Sequence, residues 1–472
     1  MASEIFARQL YGRSQIFTDV LEVTHENVCD VLSKALPKHS KNAYDIQYLY
    51  DYYRGKTPVR GKTKVVRPEV NHKISENRAY QITEFKNSVC FGEPVQYISR
   101  GSVSGALAAI DELNDFMIET GKEAADRDLG LWMHIAGVGY RMTLPTKGDA
   151  IPIEHHVLDP RYNFIVRNSG FRKLPVMSVT IVEREGKEDL HCVYTPNWYF
   201  EIEGELNILK AEPNPLGMIP VVEYPLNPAR LGAFEIALPL LDAINELESN
   251  RMDDVQQYVN SFLALLGGSI DDETYAKLEE YKMLCLPTGV DAKYLSVAMQ
   301  QNDIQTLKDN LYQSVLTVCG MPSQSTESTS SSDTGAAVLY RGGWSQAEAR
   351  AKATEIEFKR SERETLKIVL RILRDTVGTP LAVKDIVIKF TRRFTDDILT
   401  KVQALQGLLN AGIHPEVAVY TCGIWNDPVD VFMKSKEYMK QWELTEDEDV
   451  RESGQDDEFA GEADSEDVRE ES

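Results

Sequence analysis

The segment that most constrains this fold is a helical pattern over residues 235–266. At ~1.5 Å per residue it makes a rod of roughly 48 Å. Its apolar positions gather at the ends: Leu240, Leu241, Ile244 and Leu247, then Val255, Val259, Phe262 and Leu266. Residues 248–254 between them are polar apart from Met252. A helix of that length with a polar middle does not sit inside one small core. It bridges layers, or it packs against copies of itself. Gly267-Gly268 ends the pattern. A second helix is predicted over 302–319, where Ile304, Leu307, Leu311, Val315 and Val318 form one apolar stripe. Gly320 and Pro322 stop it.

The 472 residues around this pair imply several domains. Residues 1–53 read as helical, with Val20, Val28, Val31, Leu32 and Leu36 ahead of Pro37. Residues 54–67 hold six basic residues and no acid. The plain expectation is a solvated surface loop, and the sharper one an inter-subunit patch facing an acidic neighbour. Residues 70–90 read as helix, 91–100 as a turn into a strand, and 106–120 as a helix closed by Gly121. From 131 to 225 short β-rich runs dominate: 176–182, 190–194, 198–202 and 206–210, separated by turn residues. One mixed α/β domain therefore extends to about residue 230.

Between the two long helices, 269–300 reads as a compact insert with strand-like pieces at 283–286 and 294–297. Residues 323–335 form a polar Ser/Thr stretch whose composition alone favours a linker. A long helix is predicted over 336–375, kinked at Gly342-Gly343, with Ile356, Leu366, Val369, Leu370 and Leu373 as its inner stripe. A strand at 386–390 and a helical cluster at 395–442 follow. The tail, 443–472, carries 15 acids against two arginines and is expected to be disordered.

The chemistry is defined mainly by exclusions. A net charge of −23 rules out a simple basic clamp on nucleic acid. There is no GxxxxGK[ST] phosphate loop and no G-x-S-x-G elbow. Gly137-Val138-Gly139 lacks a third glycine and reads as an eased strand turn. In Glu154-His155-His156 the two histidines are adjacent, so on a strand they point to opposite faces and chelate poorly. The pairs Asp253-Asp254, Asp271-Asp272 and Asp396-Asp397 could hold Mg²⁺, but they lack a recurring basic or histidine partner. The six cysteines are scattered without a CxxC, against a zinc ribbon or disulfide framework. No apolar run approaches a membrane span, and no h-region of a secretory signal stands at the N-terminus. The expectation from residues alone is a non-enzymatic α+β scaffold with no metal or cofactor.

The order of several stretches resembles the portal proteins of tailed double-stranded DNA bacteriophages, of the long-tailed siphophage type. The first stretches are Asp51-Tyr52-Tyr53-Arg54-Gly55-Lys56, Arg67-Pro68-Glu69-Val70-Asn71, and Asn77 with Phe91-Gly92-Glu93-Pro94-Val95. Next come Ile219-Pro220-Val221-Val222-Glu223-Tyr224, Leu240-Leu241-Asp242 and Glu248-Ser249-Asn250. Cys319-Gly320-Met321-Pro322, Thr334-Gly335-Ala336-Ala337 and Asn426-Asp427-Pro428 complete the series, which spans about 45–442.

The resemblance implies a portal-type fold. Residues 1–234 resemble a mixed α/β wing, 235–266 and 302–320 a two-helix stem, and 267–301 a small α/β clip that meets the tail connector. Residues 321–335 resemble a tunnel loop at the narrowest part of a channel. Residues 336–394 resemble a kinked wing helix with its strand, and 395–442 a helical crown. It also implies a closed homo-oligomeric ring, usually twelve-fold, at one capsid vertex of a virion assembled in the host cytoplasm. Double-stranded DNA would pass through it during packaging and ejection. Its partners would be the terminase large subunit, a head–tail connector, and the major capsid and scaffolding proteins. An acidic or neutral wall suits sliding DNA, since basic walls bind phosphate strongly. The residues expected to meet DNA are Ser323, Gln324, Ser325, Thr326, Ser328, Thr329, Ser330, Ser331 and Ser332. A non-viral oligomeric scaffold and a metal-dependent nuclease built on the Asp pairs stand as the alternatives.

Overall fold

The computed structural model describes residues 10–65, 68–100, 106–147, 151–204, 206–259, 262–266, 291–295, 301–322, 343–391, 398–425, 428–436 and 438. The chain divides into two compact units, residues 1–395 and 396–472.

In the first unit, residues 10–27 are not helical as expected. Strand β1 (Ile16–Thr18) pairs in parallel with β5 (Asn163–Asn168), so Ile16 lies opposite Val166. Helix α1 (Val28–Tyr53) begins after Asn27 and runs straight through Pro37. Its buried positions Val28, Val31, Leu32 and Ala35 lie against Phe164, Met177, Val193 and Phe200. These belong to a six-stranded sheet ordered β1-β5-β6-β7-β8-β9, with β6 (Pro175–Val182), β7 (Leu190–Tyr194), β8 (Trp198–Glu203) and β9 (Asn207–Pro213). From β5 onward it is an antiparallel meander; β7 and β8 alternate, with one face buried on the α1 side, whereas β5 and β6 carry runs buried on both faces.

A second layer is built around α2 (Arg78–Phe91), α3 (Ala106–Glu119) and α4 (Lys122–Ala136). Helix α4 turns directly into β3 (Val138–Pro145), the centre of the sheet β10-β3-β4, where β4 is Ile153–Leu158 and β10 is Val221–Pro225. Gly137 makes this turn at φ 78°, where a Cβ would meet the Arg230 carbonyl at 2.2 Å. The turn needs glycine for conformation and for space, which accounts for the Gly137-Val138-Gly139 pattern. Strand β2 (Gln96–Ser99) pairs antiparallel with β13 (Ile386–Lys389).

Helix α5 (Leu238–Val259) is shorter than the sequence suggests. Phe262–Leu266 is a strand, β11, paired antiparallel with β12 (Asp291–Leu295). An apolar run such as Phe262-Leu263-Ala264-Leu265-Leu266 satisfies either period, and a distant partner strand decides it. Helix α6 (Gln301–Cys319) returns beside α5, and α7 (Trp344–Thr376) packs on α2, β3 and β10. The inner face of α7 includes Phe358, Leu366, Val369 and Leu373, whereas Ile356, expected inside, is 68% exposed.

The second unit holds α8 (Ile398–Asn410), α9 (Pro415–Cys422) and α10 (Pro428–Ser435). Ala418, Val419, Cys422 and Phe432 are buried in it. Most of the insert 267–301 and the tail 443–472 lie outside the described residues.

Candidate functional site

The pair α5–α6 and the loop that leaves α6 are where the sequence concentrates its functional expectations. Among the described residues, one end of the pair is anchored in a hydrophobic core. Leu238, Leu241 and Ile244 of α5 meet Val315, Leu316 and Cys319 of α6 in a core shared with Leu49, Tyr52 and Ile82. The expected α6 stripe therefore shifts: Leu316 replaces Val318, which is 41% exposed, and Leu307 is 50% exposed. Two residues of α6 tie the pair together further along. Lys308 Nζ lies 2.7 Å from Glu248 of α5 and 2.6 Å from Glu76. Arg251 of α5 donates to Gln305 at 2.9 Å.

The polar middle of α5 is not wet. Asn245, Ser249 and Asp253, spaced by four, are buried at 4%, 0% and 0% exposure. The described residues of 62–76 cover them like a strap. The backbone N–H groups of Glu76, Ile74 and His72 donate to Asn245, Ser249 and Asp253 at 3.0, 2.9 and 2.6 Å. Asp253 also accepts from Lys62 at 2.9 Å and His72 Nδ1 at 2.9 Å, and pairs with Lys64 at 2.5 Å. Lys62 donates to Asn250 as well, at 2.7 Å. Burial alone would raise the Asp253 carboxyl. The His72 N–H and the Lys64 and Lys62 ammonium groups outweigh it and hold the carboxyl well below the usual carboxylate range.

The basic segment 54–67 divides: Arg54, Lys56 and Arg60 stand exposed, as the surface-loop expectation has it, whereas Lys62 and Lys64 neutralise a carboxylate of the same chain. The polar middle of α5 is likewise no argument for packing against copies, because the chain covers it itself. Asp253 is engaged by cations and Asp254 faces solvent, so this pair does not form a Mg²⁺ site. The pairs at 271–272 and 396–397 lie outside the described residues. His155 is hydrogen-bonded to Thr143 at 3.0 Å, and burial lowers its pKa to about 3. His156 is exposed and lies 3.4 Å from Glu154.

A second polar cluster was not anticipated. Glu362 of α7 is fully buried between Arg141 of β3 and Lys122 of α4, at 3.0 and 3.2 Å. Asp126 pairs with both cations, with Lys122 at 2.6 Å. Tyr97 and Tyr224 donate their hydroxyls to Glu362 at 2.5 and 2.6 Å. Burial pushes Glu362 up, but Lys122 and Arg141 outweigh it and hold its carboxyl well below the usual carboxylate range. Two cations meet two carboxylates in a closed, dry cluster that joins α4, α7 and three strands. The sequence did carry a signal: Glu362 stands midway between Phe358 and Leu366 on one helical stripe.

The loop after α6 is rooted firmly. Gly320 takes φ 65°, Met321 is buried, and the Met321 N–H donates to Leu316 O at 2.8 Å. A Cβ on Gly320 would meet Arg350 Cγ of α7 at 2.8 Å, so this root lies against α7. Ser323, Gln324, Ser325, Thr326, Ser328, Thr329, Ser330, Ser331 and Ser332 lie outside the described residues, as does Gly342. Gly343 takes φ 77° and caps the start of α7.

A family description, phage portal protein, SPP1 Gp6-like, matches residues 32–450. The chain belongs to this family. The match runs from α1 across both helices of the α5–α6 pair and beyond α10. No curated protein matches the chain. Among solved structures, the portal-family chain is similar to a chain in the neck of an empty gene transfer agent particle computed with C6 symmetry. Identity is 13% and the TM-score 0.45, over 73% of this chain and 90% of that one. A chain of a native gene transfer agent virion matches at 14% identity and TM-score 0.42, over 73% and 89%. One in the neck of a native particle computed with C12 symmetry matches at 13% and 0.42, over the same shares. No described helix is long and apolar enough to cross a membrane.

Proposed function

We propose that this portal-family chain forms a closed ring, twelve-fold, at one capsid vertex of a virion, and that double-stranded DNA passes through the ring during packaging and ejection. The observation that carries this reading is the family match over residues 32–450. The role is structural, with the motor supplied by a separate terminase. Head–tail connector, major capsid and scaffolding proteins are the other partners.

In this reading residues 1–234 are the wing and the α5–α6 pair is the stem. The clip starts at the β11–β12 pairing and includes 267–301. Residues 321–335 are the tunnel loop, 336–394 the wing helix with its strand, and 395–442 the crown. The division of the chain after Thr395 supports a separate crown. Helix α6 suits a channel wall. It exposes Asp303, Asp309, Asn310, Gln313 and Ser314, and its one basic residue, Lys308, is held by Glu76 and Glu248. Such a face offers phosphate no fixed cation, so DNA can slide.

The test is negative-stain imaging and native mass spectrometry of the purified chain. Rings with a central hole are expected. Monomer alone, across a wide range of concentration and salt, overturns the reading. Given rings, a triple variant Ser330→Lys, Ser331→Lys and Ser332→Lys tests the tunnel loop. It should assemble normally but retain DNA with a steeper salt dependence, by up to about three phosphate contacts per subunit. Unchanged packaging and salt response would place that loop away from DNA.

A further inference from the structure

We propose that Asp242 makes the joint between α1 and α5 responsive to mild acid: the joint is loosened while the carboxylate carries its charge and tightens when it takes up a proton. The proposal concerns a single chain and holds whether or not that chain forms a ring. Asp242 stands one turn into α5, where the helix enters the core it shares with α1, α2 and α6. Its Oδ1 accepts the Tyr52 hydroxyl of α1 at 2.8 Å. Tyr52 is 1% exposed, so this bond joins the two helices from the inside.

The second oxygen, Oδ2, is shielded from solvent and has no hydrogen-bond partner among the described residues. No described cation pairs with the carboxylate either. Other enclosed carboxylates of the unit are neutralised. Glu235 has Arg13, Glu223 has Arg167 and Arg230, Asp253 has Lys62 and Lys64, and Asp126 and Glu362 share Lys122 and Arg141. A shielded carboxylate with neither a cation nor a donor for one oxygen costs stability while it is charged.

The surrounding groups leave it so. From α1 it meets Tyr52, whose ring lies 6.1 Å from that of Tyr48. On α5 itself Glu246 stands one turn on and repels the charge. From α2 and α6 the shared core presents Ile82, Val315, Leu316 and the Cys319 thiol. Cations on the segments beside α5 are engaged elsewhere: Lys308 with Glu76 and Glu248, Arg78 with Glu76, and Arg60, in the turn Pro58–Gly61, with the Gly55 carbonyl. Burial pushes the carboxyl up, the Tyr52 hydroxyl pulls it partly back, and Glu246 adds to the rise, leaving it at about 6. Below the ordinary aspartate range the group is neutral in the folded and the unfolded chain alike, and the joint has its full stability. As pH rises through about 6 the folded carboxyl ionises without a counter-charge, and part of that stability is lost. An asparagine would serve Tyr52 as acceptor without any charge. What the aspartate adds is a dependence on proton concentration.

The full-length wild type, Asp242→Asn and Tyr52→Phe are compared by hydrogen exchange with mass spectrometry. Rates in the segments 45–53 and 238–247 are divided by those of the unfolded chain at each pH. Wild-type protection should rise about tenfold between about pH 7.5 and about pH 5, with a midpoint near 6. Asp242→Asn should be flat over that range and at least as protected as wild type at its upper end. Tyr52→Phe loses the hydroxyl that favours the charged carboxylate, so its midpoint should move above that of wild type. A histidine titrating elsewhere would leave the midpoint where it is. Wild-type protection that stays constant or falls on acidification overturns the proposal. So does a pH response that Asp242→Asn retains. Should Asp242→Asn fail to fold, the Tyr52→Phe midpoint decides, and one identical to wild type overturns the proposal.

Discussion

The two polar clusters of the first unit solve one problem in different ways. Each places a carboxylate on the inner face of a long helix, Asp253 on α5 and Glu362 on α7. Around Glu362 the charges balance, two against two, and side chains from five elements exclude water. Around Asp253 the cations outnumber the carboxylate, Lys64 and His72 are partly exposed, and backbone N–H groups of one strap do much of the bonding. The first arrangement locks layers that must not move relative to each other. The second fastens one segment along a helix that leaves the core. Breaking a dry, balanced cluster leaves a charge with nowhere to go. Breaking the strap lets water replace the lost partner.

That contrast is testable in order of size. Glu362→Gln should be the most damaging change, at about 3–5 kcal/mol, because it strands a buried cation. Urea denaturation measures it, and a loss under about 1 kcal/mol would mean the cluster is not dry. Asp253→Asn should cost less, about 1–3 kcal/mol. It should also open the strap, so limited proteolysis should cut within 62–76 faster than in wild type. Cleavage elsewhere first would argue that the strap is held by its backbone alone.

The pH response of the Asp253 variant follows from the sign of the shift. The folded carboxyl titrates well below the unfolded one, so its contribution is complete above the ordinary aspartate range. It is lost as pH falls through the folded value. The stability gap between wild type and Asp253→Asn should therefore be constant near neutrality and shrink on acidification. A gap that widens toward acid would reverse the assignment. The smallest effect should come from Lys34→Ala. Its partner Asp30 lies one helical turn back at 2.8 Å, with both side chains mostly exposed. A loss of at most about 0.5 kcal/mol, removed by salt, is expected in thermal melts. A larger loss would show that exposed pairs on α1 matter more than their solvation allows.

Much of the fold was legible because it is written in near neighbours. Alternation over 176–182, 190–194 and 198–202 marks three strands of the large sheet, and the structure has β6, β7 and β8 there. Gly121 was read correctly as the boundary after α3. The misreadings occur where a residue's neighbours are consistent with two outcomes. Phe262–Leu266 suits a helix or a strand, and β12 settles it from 25 or more residues away. Ile16 would fit a helical stripe, but the open edge of β5 takes it. By contrast, Pro37 leaves α1 unbroken, in line with the helical reading of 1–53; Ala35 before it packs on the sheet and His39 after it stacks on Phe164.

The sequence by itself determined the long helices, the β-rich middle, the acidic balance, and an order of segments sufficient to place the chain in the phage portal family. Periodicity and composition are local properties, and they survive in a linear reading. Only the tertiary structure decided where the charges go. Lys62 and Asp253 are 191 residues apart, and Arg141 and Glu362 are 221 apart. In the sequence Lys62, Asp253 and Arg141 look like ordinary surface charges, and Glu362, though it stands on an apolar stripe, has nothing beside it that names its partner. Their pairing depends on which low-dielectric spaces the fold closes, and no local pattern records that.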